Sequence, residues 1–305
     1  MRQAAGTRSE DFADHLINVA PAIPALALAL IAITLHYTAD FGLAYRGGVE
    51  AWATGHPQRI VTWTATPFLA LVMALVSRLG PEFVEARIFM ALDIALWMVA
   101  LFVVWTRLRP HVSPTWWWAT LAAAALFAPA VSTIFWLQFN LVILVLALYG
   151  FVLIGRREGW AAFLIGLAIA LKPIVILLPV ALLLHKRTRR VGAWSIAVTA
   201  SLTVAGLGFL AWRAADLSVL NPFDYLQGFL AKGQGAIAAC IVENYSPVAM
   251  LCRLGVPPTT VTTVVVAAIV LVTGYLLVRH LPDTSEGNWE LFAAACFLSI
   301  MLGPI

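Results

Sequence analysis

The sequence predicts an all-α, polytopic transmembrane helical protein with about nine membrane segments, some of them short re-entrant or half-length hairpins. Three observations carry this expectation. The chain is 62% hydrophobic and only 11% charged, with mean hydropathy +0.92, whereas a soluble domain is nearer half apolar and a quarter charged. Its apolar runs reach the roughly 20 residues a helix needs to cross a bilayer. Its cations fall in short clusters between those runs. Such a chain is a poor candidate for a soluble enzyme, a disordered protein or a nucleic-acid-binding domain. The formal charge of +4 and pI of 9.2 read as a topology signal rather than a partner signal.

The runs follow one another along the chain. Residues 1–15 form a cytoplasmic tail, and 16–305 a single integral membrane domain. Leu16–Leu35 carries no charge and follows no short basic segment with a cleavage site, so it reads as an uncleaved first helix. Ile88–Thr106 carries one charge, Asp93, and Asp93 reads more readily as a structural pairing than as chemistry. Trp116–Leu137, Phe139–Gly155, Val191–Trp212 and Pro258–Val278 carry none, and Leu291–Ile305 is apolar to its last residue. That stop within an apolar run reads as a C-terminal truncation. Pro67–Val76 is too short to span, and Trp160–Leu184 is interrupted by Lys172-Pro173.

Orientation resolves the two irregular stretches. Cytoplasmic loops are rich in Lys and Arg, which places Arg107/Arg109, Arg156/Arg157, Lys186–Arg190 and Arg279 on the inside. These four loops hold nine Lys and Arg in 30 residues, against seven in 96 for the outer loops 37–87 and 213–257. An even number of crossings must then separate each pair of inner loops. Trp160–Leu184 becomes a short hairpin with Lys172-Pro173 at its tip, the alternative being one kinked helix. Pro67–Val76 must dip and return, or lie along the surface. Residues 37–66, with Tyr37, Tyr45, Trp52 and Trp63, read as interfacial helices with aromatic anchors.

On this topology the polar residues gather at the outer face. Asp40 follows the first span, Gln138 and Asn140 sit at the tip of one hairpin, Lys172 at the tip of the next, and Asn244 before the eighth crossing. A polar cluster walled by apolar helices is a candidate site. Each member also has a structural reading: a helix N-cap for Asp40, turn residues for Gln138 and Asn140, and interfacial snorkelling for Lys172. No nucleotide-binding glycine loop, HExxH or DxD is present, so neither a metal nor another cofactor is expected. Of the three cysteines, Cys240 and Cys252 share one outer loop, where oxidation is feasible.

These residues, in this order, resemble glycosyltransferase family 87 of the membrane-embedded GT-C superfamily. The first outer loop reads Asp40-Phe41, then Tyr45-Arg46 and Gly55-His56-Pro57. The family's Gly-Gln-x-Asn is matched by Leu137-Gln138-Phe139-Asn140, and its Gly-rich helix ending in Lys-Pro by Gly166 to Lys172-Pro173. Asn244-Tyr245-Ser246 resembles a later Asn-Gln-Ser, and Gly303-Pro304-Ile305 the start of Ser-Pro-Ile-Ser-Trp.

The resemblance implies an inverting transfer of a sugar, mannose or arabinofuranose, from a polyprenyl phosphate. The acceptor would be a lipid-anchored or cell-wall glycan at the extracytoplasmic face of the plasma membrane. It implies Asp40 as general base and Lys172 and Arg46 as partners of the leaving phosphate. Gln138, Asn140, Asn244, Tyr45 and Trp136 would contact sugar or acceptor. The rival expectations are a polytopic transporter or flippase, which would show two similar halves and several buried charges, and a non-catalytic membrane scaffold.

Overall fold

The computed structural model describes residues 39–59, 66–108, 138–172, 177–221, 251–252, 254–255 and 260–280, and among them every regular element is helical. We label the α-helices in chain order: α1 Ala39–Thr54, α2 Pro67–Val76, α3 Glu82–Leu108, α4 Asn140–Val152, α5 Glu158–Leu171, α6 Leu177–Leu184, α7 Arg189–Ala214 and α8 Thr260–His280. The expected spans Leu16–Leu35, Trp116–Leu137 and Leu291–Ile305 lie outside the described residues. Among the described residues, α7 is the helix long and apolar enough to cross a membrane.

The chain divides into two compact units, Met1–Gly42 with Leu79–Val145, and Leu43–Arg78 with Leu146–Ile305. In the first unit α3 covers the expected Ile88–Thr106 run with an added turn at its N-terminus. Glu82 and Glu85 occupy its first turn, where negative charge complements the helix dipole. Its 27 residues rise about 40 Å. Ala86, Phe89, Met90, Asp93, Trp97 and Ala100 are buried at three- and four-residue spacing and form one stripe. Ile88, Leu92, Met98 and Phe102 lie outside that stripe and are exposed. Large apolar side chains outside the stripe are what a lipid-facing surface requires. Asp93 lies on the inward stripe, fully buried, with neither carboxylate oxygen hydrogen-bonded. The structural pairing expected for it is therefore not found among the described residues.

The second unit is organised by a break at Lys172. Proline disfavours helical backbone in the residue before it, and Pro173 follows here. Lys172 is accordingly extended, at φ −154° and ψ 126°, and its N–H makes the last helical bond to Ala168. Beyond the break stands α6, and Thr188 Oγ1 donates to the Leu182 carbonyl at 2.9 Å and Arg189 Nε to that of Leu183 at 3.2 Å, closing a tight turn into α7. Gly192 of α7 packs on the backbone of Pro179 and Leu183 of α6. Helices α5 and α7 run in the same direction. Gly166 meets Ser195 and Val198, and further along Thr66 bonds the carbonyls of Ala170 and Leu171 while Pro67 packs on Gly206. Among the described residues Trp160–Leu184 therefore holds two helices, α5 and α6, with α5 ending at Lys172.

The cationic turns agree with this arrangement. Gly155, at φ +79°, turns α4 into α5, and Arg187 reaches to within contact distance of it. Arg156/Arg157 and Lys186–Arg190 therefore share one end of the unit.

Pro67–Val76 is a ten-residue helix with a built N-terminus. The Thr66 hydroxyl accepts from the Leu69 N–H at 3.1 Å, and Pro67 fills the first helical position, where no donor is needed. This helix lies against α7 at Gly206, where a Cβ would stand 2.5 Å from Pro67 backbone atoms. Small residues allow such backbone approach between membrane helices. Gly208 has no neighbour within 4 Å. Gly206→Ala should lower the thermal stability of the detergent-solubilised protein by about 1–3 kcal/mol, and Gly208→Ala should leave it unchanged or slightly higher. Equal melting of the two variants would remove the close approach as a constraint.

Candidate active site

Three of the residues singled out in the sequence come together in the first unit. Asp40 stands in the first turn of α1. Gln138 stands two residues before Asn140, which opens α4. Gln138 Nε2 donates to Asp40 Oδ2 at 2.6 Å, and Asn140 Nδ2 donates to Gln138 Oε1 at 2.6 Å. The direction of this chain is fixed by chemistry. A carboxylate only accepts, so Gln138 must present its NH2 to Asp40, and its carbonyl then faces the Asn140 donor. Asp40 Oδ1 takes no hydrogen bond from another side chain among the described residues.

The intervening residues explain why these groups meet. Phe41, 1% exposed, stacks on Phe89 of α3 with ring centroids 5.3 Å apart, and Phe89 stacks on Phe139 at 4.6 Å. Each polar residue is thus the chain neighbour of a packed ring. Aromatic packing contributes strongly to local stability, so the rings hold Asp40 and Gln138 in register. Asp40 is half-buried and flanked by the Gln138 amide.

Lys172 lies in the second unit, half-buried at the C-terminal end of α5. The Thr66 hydroxyl ties that end to the start of α2. Tyr45 and Arg46 also belong to the second unit. They follow Asp40 by five and six residues in α1, whereas three- or four-residue spacing places side chains on one helix face. The Tyr45 hydroxyl donates to the Ser77 carbonyl at 3.5 Å, and Arg46 is exposed. Trp136 and Asn244 lie outside the described residues. Cys252 is disulfide-bonded; Cys240 lies outside the described residues.

Sequence reasoning missed two features. The Thr66 bridge was signalled by Thr-Pro, an N-cap followed by proline. Arg213 stacks on Trp52, 5.1 Å from the ring centroid, and its Nε donates to the Trp52 carbonyl. Only the Trp212-Arg213 pair at the end of an apolar run hinted at an interfacial role.

The family model for glycosyltransferase family 87 matches residues 63–304. The chain belongs to glycosyltransferase family 87. It is therefore an enzyme, a membrane glycosyltransferase. No curated protein and no solved structure matches it. The family match includes Gln138, Asn140 and Lys172, and begins after Asp40, Tyr45 and Arg46.

The hydrogen-bond chain makes the two amides unequal. Gln138→Leu breaks both bonds and removes the side-chain donor to Asp40 Oδ2, at a cost of about 1–3 kcal/mol. Asn140→Leu breaks the Asn140–Gln138 bond and leaves the charged Gln138–Asp40 bond in place. Thermal denaturation in detergent should rank Gln138→Leu below Asn140→Leu; the reverse order would dissolve the chain.

Proposed function

We propose that this family 87 glycosyltransferase moves a sugar from a polyprenyl phosphate to a glycan hydroxyl, with Asp40 as general base. The observation that carries the reading is the Gln138–Asp40 hydrogen bond. It occupies one carboxylate oxygen, and the other takes no side-chain hydrogen bond among the described residues. A general base must come within about 3 Å of the proton it takes, and a carboxylate held by one such bond supports that role.

In the proposed reaction the acceptor hydroxyl oxygen attacks the anomeric carbon. The bond from that carbon to the phosphate oxygen breaks, with oxocarbenium character as in other glycosyl transfers. The hydroxyl proton passes to Asp40 Oδ1, and the polyprenyl phosphate leaves with the bonding electrons, inverting the centre. Cations stabilise the charge that develops on the leaving phosphate; Lys172 and Arg46 are the proposed groups. Asn140, Asn244, Tyr45 and Trp136 are proposed contacts to sugar or acceptor, with Gln138 orienting the base as well. No metal or other cofactor is invoked. Mannose and arabinofuranose are the proposed sugars, and lipid-anchored or cell-wall glycans the proposed acceptors.

The proposed setting is a multi-pass helical domain of about nine segments in the plasma membrane, with the chemistry at the extracytoplasmic face. Two cationic turns at one end of the second unit support it, because a shared cytoplasmic end is what the positive-inside rule requires.

Transfer from a polyprenyl-phosphate sugar in membranes tests the base. Asp40→Asn should lower turnover by about 10²–10⁴ at unchanged protein level; near-normal turnover would remove Asp40 from the role. Lys172→Met should lower kcat/KM for the donor by about tenfold or more, and unchanged kinetics would reduce Lys172 to an interface anchor.

A further inference from the structure

We propose that Trp52, Arg78 and Arg213 form a seat for a phosphate anion, the head group of an anionic membrane lipid. The three residues come from distant parts of the second unit and meet around one ring. The Arg213 guanidinium lies 5.1 Å from the Trp52 centroid and 5.2 Å from that of Trp212, and its Nε donates to the Trp52 carbonyl. The Arg78 guanidinium lies 5.5 Å from the same Trp52 ring. Cation–π attraction accounts for either arginine alone. Two guanidinium groups on one ring also gather positive charge at this end of the unit, which an anion complements.

No carboxylate of the protein serves as that anion among the described residues. Glu50 accepts from Thr54 Oγ1 at 2.8 Å and pairs with Arg59 at 3.7 Å. Asp216 is engaged by Ser218, whose hydroxyl and backbone N–H donate to it at 2.6 and 2.8 Å. Those two bonds hold the Asp216 carboxyl below its usual range.

The position selects the ligand. Arg213 stands in the last turn of α7, the helix of membrane-spanning length, and Trp212 beside it is 67% exposed. Tryptophan rings occupy the head-group layer, so this end of α7 sits where lipid phosphates lie. The guanidinium fork matches phosphate oxygens in pairs, and the Nε–carbonyl bond fixes the plane of that fork. The seat rests on the membrane residence of the family and is independent of the chemistry at Asp40.

Native mass spectrometry of the full chain in detergent, titrated with short-chain phosphatidylglycerol or phosphatidylcholine, tests the proposal. The protein should bind one phosphatidylglycerol about tenfold more tightly than phosphatidylcholine, and the preference should survive Arg187→Gln at the opposite end of α7. Arg78→Gln combined with Arg213→Gln should abolish it; retention of the preference would overturn the site. Millimolar inorganic phosphate should fail to displace the lipid, and displacement would overturn the assignment to a lipid head group. If the double variant fails to fold, Arg213→Lys, which keeps the charge without the fork, should weaken binding several-fold. Unchanged binding in that variant would overturn the stacked guanidinium as the recognising group.

Discussion

A single hydrogen bond, from the Gln138 amide to the Asp40 carboxylate, gives the candidate site its form. Within a membrane protein a carboxylate away from bulk water needs a donor, and an unpaired one is costly. Gln138 supplies it, and Asn140 orients Gln138. Neither amide would be in place without the Phe41–Phe89–Phe139 stack. The apolar residues of this region therefore position the polar ones, and α3 contributes through Phe89 alone rather than through any charged group. Asp93, one turn beyond Phe89 on the same stripe, keeps both oxygens without a hydrogen bond.

The second unit obeys the same rule of internal pairing. The buried and half-buried hydroxyls of Thr66, Thr188, Ser195 and Thr199 each find a backbone carbonyl: Thr66 at Ala170 and Leu171, Thr188 at Leu182, Ser195 at Val191 and Thr199 at Gly166. These bonds lie where helices turn or touch. The break at Lys172 is made by Pro173, and the neighbouring hydroxyl of Thr66 holds the end of α5 against α2. Glycines at 166, 192 and 206 let backbones meet along α7. The place of Lys172 at the end of α5 thus follows from proline sterics and hydroxyl pairing.

Much of this was legible in the sequence. Hydropathy and charge gave the helical class, and Lys172-Pro173 marked the interruption of the Trp160–Leu184 run at which α5 ends. The same reading placed Gln138 and Asn140 at the tip of a hairpin, and they stand at the start of α4. It did not anticipate that Asp40 would accept from Gln138, because that contact joins residues 98 positions apart through three aromatic rings whose partners hydropathy cannot assign. Tyr45 and Arg46 were grouped with Asp40 by the family resemblance, and their spacing of five and six residues along α1 carries no helical-face signal that would have paired them with it. The Trp52 cluster was hidden for the opposite reason. Arg78 and Arg213 fall in outer loops, where cation counting treats them only as background to a topology signal, and stacking on one ring has no linear signature.

The account stands on Asp40 as the group that takes the acceptor proton. A structure of the enzyme with a polyprenyl-phosphate sugar and a glycan acceptor bound tests this most directly. The account predicts the acceptor hydroxyl within about 3 Å of Asp40 Oδ1, with Gln138 still donating to Oδ2. Another carboxylate or a histidine at that hydroxyl, with Asp40 turned away from the anomeric carbon, would contradict it.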